Sequence, residues 1–217
     1  MLPTDEYYIQ KLIDEGEHVH QDFKFAISDA RKIAKSISAF SNTEGGRLLV
    51  GVKDNGKIAG VRSEEEIYMI EAAAKMYCTP EVNISNKIFR VQGKDVLEVS
   101  IEESKNKPVC AIDENNKPWA YVRINDENIL ADTVFLNRWK HNKQEEKVIV
   151  TYSEREKYLL DILSKNKELT LNQCSRLSRI PRITTSRLLA DFIRFDLVEQ
   201  IFREHTFYFR LKEENTK

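Results

Sequence analysis

The sequence predicts an α+β fold in two parts. Three observations carry this. Strand-type patterns interleave with amphipathic helical ones through the first two thirds of the 217 residues. From Glu154 onward, three helical patterns are followed by two short strand patterns. Between them, Lys140 to Lys147 is charged and polar and keeps no apolar period, which puts a junction near residues 142–152. The domains are expected at 1–147 and 148–217.

Each element has its own signal. Thr4-Asp5-Glu6 can cap a helix to about Glu15, with Ile9, Leu12 and Ile13 on one face. Val19 to Phe25 alternates apolar and polar residues, a strand period. Ser28 and Asp29 offer an N-cap to a helix that turns Ile33, Ile37 and Phe40 inward and Arg31, Lys32 and Lys35 outward. Asn42-Thr43-Glu44-Gly45-Gly46 ends it. Leu48 to Val52 is an unbroken apolar run containing Gly51, as expected of a strand covered on both faces. Asp54-Asn55-Gly56 then makes a turn, because Asn-Gly tolerates positive φ. Ser63 and three glutamates open a helix to about Tyr77. Strands follow at 82–91, 95–101, 109–112 and 119–124, and a helix begins at Asp132. In the second part, helices are expected at Glu154–Leu163, at Leu171–Leu177 behind Thr170, and from Thr184 or Thr185. Strands at Leu197–Phe202 and Phe207–Leu211 come next, with Arg203 to Thr206 at the hairpin tip. Three helices and a hairpin form the order of a winged helix-turn-helix.

Composition narrows the class. Hydrophobic residues make up 41% and charged residues 32%, enough for a core under a hydrophilic surface. No apolar run approaches the roughly 18–20 residues of a membrane span, and the N-terminus shows no signal peptide. Cys78, Cys110 and Cys174 are scattered, with no paired spacing, which argues against a zinc or disulfide framework. The expectation is a cytoplasmic protein without a membrane partner. Net charge is −1, divided as +3 over residues 151–217 and −4 over the rest, a sign asymmetry that points to a nucleic-acid-facing second part.

Leu171 to Arg194 holds five arginines (Arg176, Arg179, Arg182, Arg187, Arg194) against one acid, Asp191. At a recognition-helix N-terminus, Arg182 and Arg187 with Thr184, Thr185 and Ser186 suit phosphates and base edges. Arg203 and His205 at the wing tip suit a neighbouring minor groove. In the first part, Gly45-Gly46 reads either as a tight helix-to-strand passage or as a loop whose amides cradle an anion, with Lys24 and Arg47 adding charge. It is not a phosphate-binding P-loop, since GxxxxGK[ST] is absent and a strand follows the glycines. His18 and His20 lack a third ligand at useful spacing and read as surface residues.

Residues 1–142 resemble the AlbA-like domain of the Schlafen family. The likeness rests on four stretches in order: Glu17 with Asp22-Phe23-Lys24; Ala39 to Gly46, containing Asn42, Thr43, Gly45 and Gly46; Val50-Gly51-Val52-Lys53-Asp54-Asn55-Gly56 with Gly60-Val61; and Ala120-Tyr121-Val122-Arg123. Asp22 stands where that family usually has Glu, and Ile124-Asn125 where a glycine commonly follows the arginine. The resemblance implies an AlbA-like Schlafen-type fold, such as occurs in bacterial proteins described as DNA-binding regulators. It also implies that Glu17, Asp22 and Asp54 stand where eukaryotic relatives carry acids associated with metal-dependent RNA cleavage. Carboxylates in such a set would hold Mg²⁺ or Mn²⁺.

The expected function is therefore nucleic-acid binding, foremost by a DNA-binding transcriptional regulator, with RNA as a second ligand and a homo-oligomer as the default assembly. Two other classes stay open: a divalent-metal-dependent nuclease using Glu17, Asp22 and Asp54, and a protein-interaction module whose winged helix binds no DNA.

Overall fold

The computed structural model of the chain describes residues 4–142 and 153–213. It divides into two compact units, Met1–Ala131 and Asp132–Lys217. The expected junction at 147/148 lies outside the described residues. The helix before it belongs with the second unit, because its Val134 is fully buried in that unit's core. Among the described residues no helix is long and apolar enough to cross a membrane.

The first unit is built on two four-stranded sheets. Helix α1 (Asp5–Glu15) is capped by the Thr4 hydroxyl and buries Ile9 and Leu12. Strand β1 (Gln21–Lys24) pairs in parallel with β2 (Gly46–Val50), and between them runs helix α2 (Ala30–Asn42), capped by Asp29. Helix α3 (Glu64–Met76) and short β3 (Cys78–Thr79) follow. Strands β4 (Ile84–Val91) and β5 (Lys94–Ile101) form a hairpin that completes the first sheet in the order β1-β2-β5-β4. The second sheet has the order β3-β6-β7-β8, from β6 (Cys110–Ile112), β7 (Pro118–Ile124) and β8 (Glu127–Leu130).

The apolar run of β2 is covered on both faces, as its lack of alternation requires. Leu48 and Val50 join a core with α2, α3 and β5, while Leu49 joins a second core with α1, β1 and β4. The return from Asp54-Asn55-Gly56 is shorter than the pattern suggests: only Val52 and Ile58 bridge. Strands β3 and β8 are not expected from the sequence, being two and four residues long. Strand β8 pairs back on β7 because Asn125, in the place of the resembled family's common glycine, takes φ 54° and reverses the chain.

The second unit comprises α4 (Thr133–Asn142), α5 (Glu154–Ser164), β9 (Leu169–Thr170), α6 (Leu171–Ser178), α7 (Arg182–Arg194), β10 (Val198–Arg203) and β11 (Thr206–Leu211). Its sheet has the order β10-β11-β9. Thr170 and Gln173 close a reciprocal capping box on α6. Helix α7 begins two residues earlier than expected, directly after Pro181. The core gathers Leu159, Leu163, Cys174, Leu189, Phe192 and Phe209. Burial pushes the thiols of Cys78 and Cys174 up to about 12, so both behave as small hydrophobes.

Candidate nucleic-acid interface

The double glycine serves packing. The Gly45 amide donates to Phe40 O at 3.0 Å, closing the end of α2, so it is not free to cradle an anion. A Cβ on Gly45, whose φ is +73°, would sit 2.8 Å from Ile101 O. One on Gly46 would sit 2.4 Å from the Phe40 ring. The backbone is pressed between β5 and α2, which is the passage role of the two readings.

Asn42 and Thr43 bolt α2 to the second sheet. Buried Asn42 donates through Nδ2 to Val109 O at 2.7 Å and Tyr121 O at 2.9 Å, and its Oδ1 accepts the Val109 N–H at 2.8 Å. Thr43 Oγ1 donates to Ala39 O and accepts the Arg123 N–H at 2.9 Å. Gly51, at φ +90°, has room for a hydrogen only, since a Cβ would meet Gly60 C at 2.8 Å.

The two cations expected to serve an anion are instead held by the unit's own acids. Lys24 Nζ lies 2.6 Å from Asp22 Oδ2. Arg47 lies 3.4 Å from Glu98 Oε1 and donates to the Tyr8 hydroxyl at 3.3 Å. Between Glu98 and Arg47, Tyr8 is buried enough that its hydroxyl is raised above the ordinary tyrosine value, with the Glu98 carboxylate adding to the shift.

The acidic set is only partly assembled. Glu17 and Asp22 are neighbours. Burial, with Asp22 next in effect, raises the Glu17 carboxyl, while the Phe23 N–H donating to its Oε1 at 2.9 Å and the Lys24 charge work against the rise. Buried Asp22 is bounded by two cations, Lys24 and the Arg123 guanidinium, the latter 3.4 Å away. Asp54 lies in the exposed turn between Lys53 and Gly56. Among the described residues no three His, Cys, Asp or Glu side chains come together in a way that could hold a metal ion. The set therefore does not fit Mg²⁺ or Mn²⁺, because one of Asp22's two oxygens faces an ammonium, the other a guanidinium, and the third acid stands elsewhere.

Arg123 belongs to the quoted motifs, yet the sequence assigns it no task. Its side chain is 1% exposed. It donates to Gln21 O at 3.0 Å and Asn128 Oδ1 at 3.0 Å, reaches His18 O at 3.4 Å, and lies 5.1 Å from the Phe40 ring centroid. It ties β7 to the approach of β1.

One group of cations in the second unit is used differently. Arg176 and Arg179 at the end of α6, and Arg182 and Arg187 on α7, are exposed. Among the described residues none of the four makes an ion pair; Arg182 Nε donates to Asn172 Oδ1 at 3.0 Å. Ile183 stands among them 69% exposed. The hydroxyls divide. Thr184 is half-buried, but Thr185 is fully buried and donates to Ile180 O and Pro181 O at 3.2 Å each. Ser186 is 3% exposed, donates to Ile183 O and accepts from Asn137. Thr185 and Ser186 are therefore corrected from ligand contacts to core residues. Their spacing to Leu189 and Phe192 (i, i+4, i+7 from Thr185) is the signal that could have shown it. Arg203 is likewise engaged, by Glu168 and by the Tyr208 ring at 5.3 Å. The hairpin tip beyond it is Glu204 and His205, both at positive φ.

No curated protein matches the chain. Among solved structures, it is similar to the DIP2311 protein of Corynebacterium diphtheriae at 20% identity and TM-score 0.42, covering 57% of this chain and 24% of that one. It is also similar to the N-terminal domain of a RecG-related protein from Nitrosomonas europaea at 16% identity and TM-score 0.44, covering 70% of this chain and 99% of that one. The chain thus spans about a quarter of the DIP2311 chain. The family model described as Schlafen, AlbA_2 matches residues 17–132, more than half of the 217 residues and nearly all of the first unit, and the chain belongs to that family.

Proposed function

We propose that this protein binds duplex DNA through its second unit, acting as a transcriptional regulator, with that unit working as a winged helix. Helix α7 is the recognition helix in this reading, α6 crosses the backbone, and β10 and β11 form the wing. The observation that carries it is the group of four exposed arginines on α6, its C-cap and α7 that lack carboxylate partners among the described residues. Such charges release counterions when they meet phosphates. Arg182 and Arg187 are one and a half turns apart on α7 and would meet successive phosphates or a guanine edge. Ile183 between them offers an apolar tip suited to a thymine methyl. Thr184 can add a phosphate contact.

The nuclease reading needs Glu17, Asp22 and Asp54, of which Glu17 and Asp22 are neighbours and Asp54 lies in the exposed turn, and no observation favours it. Arg203, Lys24 and Arg47 are left out of the interface because each is already engaged within the chain.

Salt-titrated binding to mixed-sequence duplex DNA tests the proposal. Wild type is expected to weaken steeply with salt. Arg182→Ala with Arg187→Ala is expected to lower affinity at least about tenfold and to reduce the magnitude of the log–log salt slope by about 2, roughly 1 for each phosphate contact removed. An unchanged affinity and slope in the double variant would sink the assignment.

A further inference from the structure

Phe25 leaves the end of β1 with 38% of its surface exposed, and two cations lie over its ring. Lys53 Nζ is 4.9 Å and Arg62 Cζ 4.5 Å from the ring centroid. Both are exposed, and neither makes an ion pair among the described residues. They differ from Lys24, Arg47 and Arg123 of the same unit, which are taken by acids.

The three residues come from separate stretches that the backbone stitches together. The Glu66 carboxylate, 3% exposed, accepts the Ile27 N–H on one oxygen and the Arg62 N–H on the other, each at 2.9 Å. Gly51 donates to Lys24 O at 2.8 Å, and its own carbonyl accepts from Ala59 at 2.8 Å and Gly60 at 2.9 Å. The motif glycines and one buried glutamate thus hold the loop after β1, the strand exit carrying Lys53 and the approach to α3 in one place. An exposed aromatic on so constrained a backbone loses little conformational entropy when it binds.

We infer that Phe25, Lys53 and Arg62 form a stacking site for an unpaired base of single-stranded nucleic acid. An aromatic face beside cations recognises a base and its adjoining phosphates, and every base offers a π-face. A duplex keeps its bases stacked inside, so only a single strand can supply one. On binding, the base takes a cation's place on the ring. The displaced ammonium or guanidinium stays within reach of the neighbouring phosphate, Lys53 by its flexible stem and Arg62 by its planar fork. Exposed Asp54, Glu64 and Glu65 lie within three residues of Lys53 or Arg62 in sequence, so the segment carries acids as well as cations. The site deepens the nucleic-acid reading by giving the first unit its own ligand class, and it stands or falls separately from the arginines of α6 and α7.

The test uses the full chain with a labelled short oligodeoxythymidine and, in parallel, a labelled duplex. Phe25→Ala and Phe25→Leu are expected to weaken single-strand binding about 5- to 150-fold, the range of one base–aromatic stack, and to leave duplex binding unchanged. Phe25→Trp keeps the π-face and is expected to bind at least as tightly as wild type, which guards against a folding defect in the smaller variants. Wild-type single-strand binding is expected to show a shallow salt slope of about −1.4, for two phosphates at roughly −0.7 each. Wild-type affinity retained in Phe25→Leu, or no single-strand binding by wild type, overturns the inference. So does single-strand binding lost in Arg182→Ala/Arg187→Ala and kept in Phe25→Leu. Loss of duplex binding alone in that double variant supports the duplex reading and leaves the stacking site standing on its own measurement.

Discussion

Two groups of cations, one in each unit, are used in opposite ways. In the first, Lys24 and Arg123 flank Asp22, Arg47 meets Glu98, Arg90 meets Asp95 and Lys107 meets Glu103. In the second, Arg176, Arg179, Arg182 and Arg187 stand without such partners among the described residues. A paired cation contributes to holding strands together but projects little field, because its acid cancels it within a few ångströms. An unpaired one projects a field over about a Debye length, roughly 8–10 Å in physiological salt. The lesson is that a count of Lys and Arg says little about a polyanion surface until the partners are known.

The sharpest way to break this comparison is to remove the most enclosed cation. Arg123→Ala is expected to destabilise the protein by about 3–5 kcal/mol, because it leaves buried Asp22 with Lys24 as its one remaining cation among the described residues and takes one of two donors from each of the Gln21 and His18 carbonyls. Urea denaturation with a fixed m-value measures it. The matching change in the second unit, Arg182→Ala with Arg187→Ala, is expected to move stability by no more than about 0.5 kcal/mol per site, as exposed positions do. If the two sets of variants cost the same, the division between structural and available cations fails.

Much of this fold is legible in the sequence, and the reasons are local. Leu48 to Val50 announces a doubly covered strand, Asp29 and Thr170 announce helix starts, and Gln92-Gly93 announces a hairpin. Strands β3, β8 and β9 escape because two to four residues cannot show a period. The start of α7 is misplaced because the two threonines are stronger capping signals than Pro181, and Pro181 nevertheless precedes the first helical residue. The sites are less legible because their chemistry is set by partners distant in sequence. Glu98 lies fifty-one residues from Arg47, and Arg123 lies one hundred and one from Asp22. Neither pairing leaves a trace in spacing. The Phe25 cluster is hidden for the same reason, with its members in three stretches that only the Gly51 turn and Glu66 bring together.

A second, smaller test concerns the acids. Asp132 is spent much as the first unit's cations are. Its Oδ1 accepts the N–H groups of Val134 and Phe135 at 3.0 Å each, capping α4, and its Oδ2 accepts from Gln200 at 3.1 Å. Burial raises its carboxyl, against the pull of those donors and of the Arg182 charge. Asp132→Ala is expected to lower stability by about 1–2 kcal/mol, and Asp132→Asn, which keeps the acceptor, by a few tenths. Thermal melting of the two variants distinguishes a cap that acts through its oxygen from one that acts through its charge. Equal losses would make the charge the stabilising element and would set Asp132 beside Arg182 as a true pair, weakening the claim that this arginine is available.

The smallest effect expected is at Glu17, and it bears on how the first unit balances its charges. Burial, then Asp22, raises its carboxyl in the folded state. A raised acid binds its proton more tightly when folded than when unfolded. Its contribution is therefore neutral below the ordinary glutamate value of about 4.3, turns unfavourable as pH rises from there to the folded value, and stays unfavourable above it. Glu17→Gln keeps an acceptor for the Phe23 N–H and has no charge to confine. Compared with wild type, it is expected to be equally stable at the acid end and slightly more stable at neutral pH, with the difference opening across that window. Denaturant midpoints taken at several pH values read it directly. The result weighs two carboxylates against two cations in one small volume. A gain at neutral pH means that Lys24 and Arg123 are committed to Asp22 and leave Glu17 under-served, which is the first unit's version of a cation fully in use. A loss at neutral pH means that Lys24 is shared between Glu17 and Asp22, so that the Glu17 carboxylate helps to hold β1 in place and the acids and cations of this unit balance as a set.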